Sequence, residues 1–498
     1  MIKVYNTLTD KKEPLPKTGV QINMFVCGPT VYDYSHIGHA RTYIAFDIIA
    51  RYLRSRGFKL FYLQNITDVD DKIIERARRE RKHPLVFART FEKAYYKDMK
   101  LLGVRSVTTY ARASDHISQI VTQIQTLVKK RHAYLIEGGG YYFDLKTFPE
   151  YGKLSRRTTE QAEDALTRID EHIKKRNRGD FCLWKFPAVL KNPDAYEHGR
   201  KKSAQKKALA IIDGEPAWWT LLGWGRPGWH IEDTAITEKY FGPQYDIHGG
   251  GVDLKFPHHE AEIAQQESAS GKKPFVKIWM HTGFLLAGGE KMSKSLGNFI
   301  TIKDFLKRFP PPILRCMIAS VHYRSPFDYS GERATQAEAT LEHIRTFLAR
   351  LNYIGSGAKH WKLAIGNSRK SIPQLIKKYR LEFFSAMDDD FNTPLALGAI
   401  FNLINQTETA LHALNKASAK KTYEAVNEML EVLGIAITIE RIPRRIISLA
   451  KKREERRKNR EWSQADDIRK RIQELGYNVE DTMRGPIVFK TRGLESRI

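Results

Sequence analysis

The spacing of apolar positions changes several times along this chain. Gln21-Ile22-Asn23-Met24-Phe25-Val26-Cys27 is a short, mostly apolar run ending at Gly28-Pro29, which reads as a buried strand stopped by a turn. Ala45, Ile48, Ile49, Tyr52 and Leu53 then recur at steps of three and four before Gly57, so a helix is predicted from near Gly38 to that glycine. Phe58 to Leu63 reads as a second strand. Strand, loop, helix and strand in this order predict an α/β fold with a doubly wound parallel sheet, which binds nucleotides beyond its strand ends. From Gly331 to about Gly434 the pattern is helical, as in Leu395, Leu397, Ile400, Phe401 and Ile404, and predicts an antiparallel bundle. Near the end, Ala465, Ile468, Ile472 and Leu475 keep helical spacing up to Gly476, and Pro486 to Phe489 looks like a short strand.

Two short motifs add chemistry to this frame. His36-Ile37-Gly38-His39 falls where the first predicted helix begins, so two imidazoles can donate hydrogen bonds to phosphate oxygens while Gly38 lets a ligand approach the backbone. Alone, the pair reads more readily as ordinary helix-capping histidines. Lys291-Met292-Ser293-Lys294-Ser295 lies in a stretch flanked by Gly288, Gly289 and Gly297. Its two ammonium groups ride on a segment able to close over a triphosphate, which suits a reaction driven by positioning and charge stabilisation. A solvated lysine pair is the plain alternative, and the histidine pair earlier in the chain weighs against it.

In this order, the two motifs resemble the signatures of the class I aminoacyl-tRNA synthetases. The runs Phe25 to Asp33, Asn65 to Lys72, Arg226 to Glu232, Asp246 to Gly251, Phe256 to Glu260 and His322 to Pro326 resemble the cysteinyl-tRNA synthetase family within that class. The resemblance spans nearly the whole chain and is weakest from Phe186 to Gly225, which reads as an insertion. It implies a Rossmann-like catalytic domain over residues 1–300, with a connective insertion at about 125–225. It further implies a stem-contact linker at 301–330, a helical bundle for the anticodon stem at 331–440 and a small anticodon-binding domain at 441–498. The implied reaction is attachment of L-cysteine to tRNA(Cys) through a cysteinyl adenylate. ATP would enter with Mg²⁺, His36 and His39 would meet its phosphates, and Lys291 and Lys294 the departing pyrophosphate. Gly38, Met292, Ser293, Ser295, His248 and His259 would complete the nucleotide site, and Thr30, Trp229 and Asp253 would line the cysteine pocket.

The resemblance also implies a zinc ion that binds the substrate thiolate, because an apolar pocket separates a thiol from a hydroxyl poorly whereas zinc prefers the softer donor. Its ligands fall on Cys27, His258, Glu262 and Asp233. The last position departs from the family, which usually carries cysteine after His-Ile-Glu. Aspartate ligates zinc at about 2.0–2.2 Å against about 2.3 Å for a thiolate, so zinc is expected to remain. The exchange would make the ion harder, holding either a cysteine thiolate or a water, and Asp233 as a simple helix cap stays open as a reading.

Composition agrees with a polyanionic partner. Lys plus Arg total 83 against 57 Asp plus Glu, a formal charge of +26. The tail from Lys451 to Arg460 is a basic run with Trp462 as a stacking candidate, Arg315, His322, Tyr323 and Arg324 are candidates for contact with the inner corner of the tRNA, and Arg200 to Lys207 holds a further basic cluster. Three cysteines leave no disulfide framework, and no apolar span or presequence is read, so a cytoplasmic protein is expected. Two rivals share the site: a ligase passing cysteine to an amino sugar, which would lack the C-terminal tRNA-binding region, and a non-catalytic tRNA-binding paralogue with degenerate motifs.

Overall fold

The computed structural model describes residues 1–157, 174–187, 209–292, 299–355, 372–411, 414–481 and 485–490, with the backbone alone at Lys291. Ser293, Lys294, Ser295 and the Arg200 to Lys207 cluster lie outside the described residues. The chain forms two compact units, residues 1–303 with 323–328, and residues 304–322 with 329–498.

A five-stranded parallel sheet carries the first unit. Its strands are β1 (Gln21–Val26), β2 (Lys59–Ile66), β3 (Thr109–Arg112), β4 (Tyr245–Gly251) and β5 (Val276–Thr282), in spatial order β5-β4-β1-β2-β3. Ile22, Met24, Phe25 and Val26 are all fully buried, as expected of a parallel strand covered on both faces. Helix α1 (Ile37–Ser55) joins β1 to β2. The strand order reverses between β1 and β4, and at such a point loops diverge and leave a crevice beyond the carboxyl ends of the strands. Cys27 follows β1 there. Close packing demands glycine nearby: a Cβ on Gly249 would sit 2.2 Å from the Phe46 ring of α1, and one on Gly28 would sit 1.7 Å from the Asn65 carbonyl oxygen.

Between β3 and β4 the chain forms a six-stranded antiparallel sheet. In spatial order its strands are Ala133–Ile136, Gly140–Phe143, Phe181–Lys185, Gly223–Pro227, Glu215–Thr220 and Leu209–Ile212. Helix α2 (Ile231–Phe241) leads from this sheet into β4, and α3 (Glu260–Ser270) follows β4, so both run past the same crevice.

In the second unit, helices Gly331–Gly355, Ile372–Asp388, Thr393–Glu408 and Lys416–Val432 pack through residues such as Ile344, Phe347, Leu403 and Met429. Arg315 is buried here and donates from Nη2 to the Leu433 carbonyl at 3.2 Å, which makes it a tie within the bundle. The tail forms two helices, Arg444–Lys458 and Trp462–Glu474, and a hairpin of Tyr477–Glu480 with Ile487–Lys490. Ile446, Ala450, Ile472, Val479 and Val488 make its core. One member of the basic run is interior: Arg453 is fully buried, and its Nη2 donates to Asp481 Oδ2 at 2.9 Å.

Candidate functional site

The crevice is a cleft of about 370 Å³ lined by residues of the first unit only. Cys27, Thr30, His36, Gly38, His39, Trp229, Asp233, Asp253, His258 and Met292 all face it, so it gathers most of the positions singled out in the sequence. At one side stands the N-terminus of α1. His36 caps it, accepting at Nδ1 from Gly38 N–H at 3.0 Å, while His39 Nδ1 accepts from His36 N–H at 3.4 Å. With each Nδ1 an acceptor, the neutral rings carry hydrogen on Nε2. Burial and the adjoining His36 push the His39 pKa well below the usual imidazole value, so it acts as a neutral donor. The rings stack at 3.8 Å, and a Cβ on Gly38 would come 2.7 Å from the His36 ring.

At the other side lies a buried cluster. Cys27 Sγ is 3.3 Å from Asp233 Oδ2, which is 3.1 Å from His258 Nε2; that nitrogen is 3.3 Å from Glu262 Oε1, and Cys27 Sγ is 4.0 Å from the same oxygen. Ligand bonds of about 2.0–2.3 Å around a tetrahedral ion imply edges of about 3.3–3.8 Å, which these separations approach. Asp233 occupies the first turn of α2, and the cap of that helix is His230, so the aspartate is free for the cluster. Asp233 Oδ1 and Glu262 Oε2 are buried with no hydrogen-bond partner. Burial, then Asp233 and Glu262, raise the Cys27 pKa well above its usual value, and burial and Asp233 do the same for Glu262. Among the described residues no lysine or arginine pairs with Asp233, Glu232 or Glu262. Two unpartnered carboxylate oxygens beside a thiol fit a cation, which would neutralise charges too costly to bury alone. The residues can therefore hold a metal ion.

Trp229 stacks on His258 at 4.5 Å, forming the wall beside the cluster. Thr30 pairs with Thr67 in an isolated parallel bridge that fixes the loop after β1. His248 and His259 are fully buried behind Cys27 and do not line the cleft. Residues to which the sequence assigned no role also contribute. Glu232 accepts from Asn65 Nδ2 at 3.1 Å and from Thr67 Oγ1, and Asn65 Oδ1 in turn accepts Gly28 N–H at 2.5 Å. This chain of contacts pins the turn that presents Cys27. Lys72 reaches the cleft with Nζ 5.5 Å from the Tyr32 ring centroid, and is the one lysine or arginine among its described lining residues. Both groups lie in the quoted runs Asn65 to Lys72 and Arg226 to Glu232, which is the only sequence signal they gave.

Residues 14–201 and 194–339 match the tRNA synthetases class I (C) catalytic domain, and residues 382–438 match the DALR domain. The cysteine–tRNA ligase of Heliobacterium modesticaldum is 40% identical over 97% of this chain and 98% of its own length, and that of Thermococcus gammatolerans is 40% identical over 98% of each. Among solved structures, the LeuRS of Agrobacterium radiobacter K84 in a ternary complex with tRNA and LeuAMS superposes with a TM-score of 0.58 at 11% identity, covering 84% of each chain. The methionyl-tRNA synthetase of Mycobacterium tuberculosis with methionyl-adenylate gives 0.53 at 14% identity, covering 83% of this chain and 90% of that one. The structural likenesses speak for the fold. The 40% identity to two curated relatives over nearly their whole length, with the catalytic-domain match, places this chain in the cysteine–tRNA ligase family of class I aminoacyl-tRNA synthetases.

Proposed function

We propose that the protein attaches L-cysteine to tRNA(Cys) in the cytoplasm, with ATP and Mg²⁺ forming a cysteinyl adenylate and Zn²⁺ in the Cys27–Asp233–His258–Glu262 cluster. The observation that carries this reading is the placement of that cluster and the α1 histidines on opposite sides of one cleft. Zinc at this position would supply selectivity for a thiolate over a hydroxyl. Trp229 and Asp253 bound the space beside the cluster where the amino acid would lie. His36 and His39 donate to ATP phosphates, and Lys291 and Lys294 would stabilise the pyrophosphate as it leaves. The cysteine carboxylate attacks the α-phosphate, and a ribose hydroxyl of the terminal tRNA adenosine then attacks the activated carbonyl to give the ester. No side-chain nucleophile is required.

The domain roles follow the same reading: the bundle would bear the anticodon stem and the tail the anticodon. The DALR match at residues 382–438 favours a tRNA substrate over an amino-sugar acceptor. Two assays test the proposal together. Elemental analysis after dialysis without chelator should find about one zinc per chain. ATP–pyrophosphate exchange should depend on cysteine and be weak with serine; exchange that serine supports equally would overturn the substrate assignment, and no exchange would leave only an RNA-binding role.

A further inference from the structure

Cys27 has more candidate co-ligands than one tetrahedron needs. Beyond Asp233 and His258, His259 Nε2 lies 3.2 Å and His248 Nε2 3.5 Å from its sulfur. Glu262 flanks both rings, with Oε1 4.0 Å from His259 Nε2 and Oε2 3.6 Å from His248 Nδ1. We propose that Cys27, His248, His259 and Glu262 form a second seat for a divalent cation, closed to the cleft and sharing two ligands with the seat made by Cys27, Asp233, His258 and Glu262. This inference rests on reading the cluster as a cation site.

Three features support the inner seat. The first is the fixing of its imidazoles. His248 Nδ1 meets Tyr245 Oη at 2.6 Å; His259 Nδ1 meets His281 Nε2 at 2.9 Å, and His281 Nδ1 meets Thr7 Oγ1 at 2.9 Å. Both rings are thus held by their outer nitrogens with Nε2 turned toward the sulfur, the arrangement that orients metal-bound histidines. The second is Glu262 Oε1, which lies 4.0 Å from Cys27 Sγ and 4.0 Å from His259 Nε2 and so can turn to either seat. The third is donor chemistry. The outer set offers sulfur, one nitrogen and two oxygens, whereas the inner set offers sulfur, two nitrogens and one oxygen, a softer combination that suits zinc. Position separates the two buried seats: Asp233 and His258 line the cleft, whereas His248 and His259 stand behind Cys27. The outer seat can exchange a ligand with something in the cleft, whereas the inner one is saturated by protein, the distinction between catalytic and structural sites. Because Cys27 and Glu262 are shared, one ion occupies one seat at a time. An aspartate in the outer set is thereby tolerated without loss of the ion.

The test is cobalt(II) titration of the chelator-treated full chain, followed by the thiolate-to-cobalt charge-transfer absorption. Wild type, Asp233→Asn, His258→Gln and the double variants Asp233→Asn/His259→Gln and His258→Gln/His259→Gln are compared, each checked for folding by circular dichroism. The two single outer variants should each still bind one cobalt with the thiolate band, within about tenfold of wild-type affinity, and the double variants should lose about a hundredfold or more. Added cysteine should change the spectrum of wild type and leave that of the single variants unchanged. Should Asp233→Asn fail to fold, the His258 series gives the same comparison. Loss of cobalt by a folded single outer variant, as complete as in Cys27→Ser, would overturn the second seat. Failure of wild type to bind cobalt would instead overturn the reading of the cluster as a cation site.

Discussion

Single residues in this cleft act through charge state. His39 is a neutral donor because a backbone amide engages its Nδ1 and burial holds its pKa down, and among the described residues lining the cleft the fixed positive charge is that of Lys72. Lys72→Met keeps the alkyl stem over Tyr32 and removes only the charge. Since an exposed cation is worth on the order of 1 kcal/mol, kcat/KM for pyrophosphate exchange should fall about three- to tenfold, through KM more than kcat. An unchanged KM would exclude a role in receiving anionic ligands. Asp98 provides a control away from the chemistry. Burial raises its pKa to about 6, with Lys97 and Lys303 opposing. Because the folded value exceeds the unfolded one, its favourable contribution is complete below about pH 4 and is lost as pH rises through 6. Asp98→Asn should therefore raise Tm by about 2–4 °C at pH 8 and leave it unchanged at pH 4, as measured by thermal denaturation. Sequence made His36, His39, Cys27 and Asp233 legible because each belongs to a compact motif. It could not reveal the links from Glu232 through Asn65 to Gly28, since those depend on β1 and β2 lying side by side and on α2 arriving from 165 residues beyond Thr67.

At the scale of elements, the site depends on how closely α1 is pressed to the sheet. Phe46 fills the space above Gly249, where a methyl group would sit 2.2 Å from its ring. Gly249→Ala must push helix and strand apart, and overpacking of this kind costs about 1–3 kcal/mol. Because α1 carries His36 and His39 and β4 leads to Gly251 in the cleft wall, the same change should slow pyrophosphate exchange; Gly331→Ala, with an ordinary φ and nothing within 4 Å of the new Cβ, is the comparison for a glycine substitution without a clash. Equal activity and Tm for Gly249→Ala and wild type would show that the contact can relax freely. In the sequence β1 and β2 were readable because buried strands leave apolar runs, and α1 because it leaves a clear helical repeat; β3, β4 and β5 were not read as strands. The antiparallel sheet between residues 133 and 227 was read only as an insertion, for its short strands pair across long intervals and alternate weakly. Tyr477–Glu480 was missed for a related reason: its pairing with Ile487–Lys490 defines it, while its own composition does not.

At the scale of the whole molecule, the excess of basic residues is unevenly engaged. Residues 439–498 hold 17 Lys and Arg against 10 Asp and Glu, yet the basic run from Lys451 to Arg460 is divided. Arg453 is buried against Asp481, and Arg456 pairs with Glu461, whereas Lys451 and Lys452 are exposed. Counting charges in the sequence therefore overstates how many can meet phosphates. If the exposed members do so, releasing counterions as they bind, KM for tRNA should rise steeply with salt, with a log–log slope of about 0.9 for each phosphate neutralised on a duplex stem. Lys451→Ala/Lys452→Ala should reduce that slope by up to about 2 and leave cysteine-dependent pyrophosphate exchange unchanged, because that half-reaction needs no tRNA. Arg453→Ala should behave differently, lowering Tm by exposing Asp481 to a lost partner. A slope that survives the double substitution intact would assign the phosphate contacts to other basic residues and leave this helix with a structural task alone.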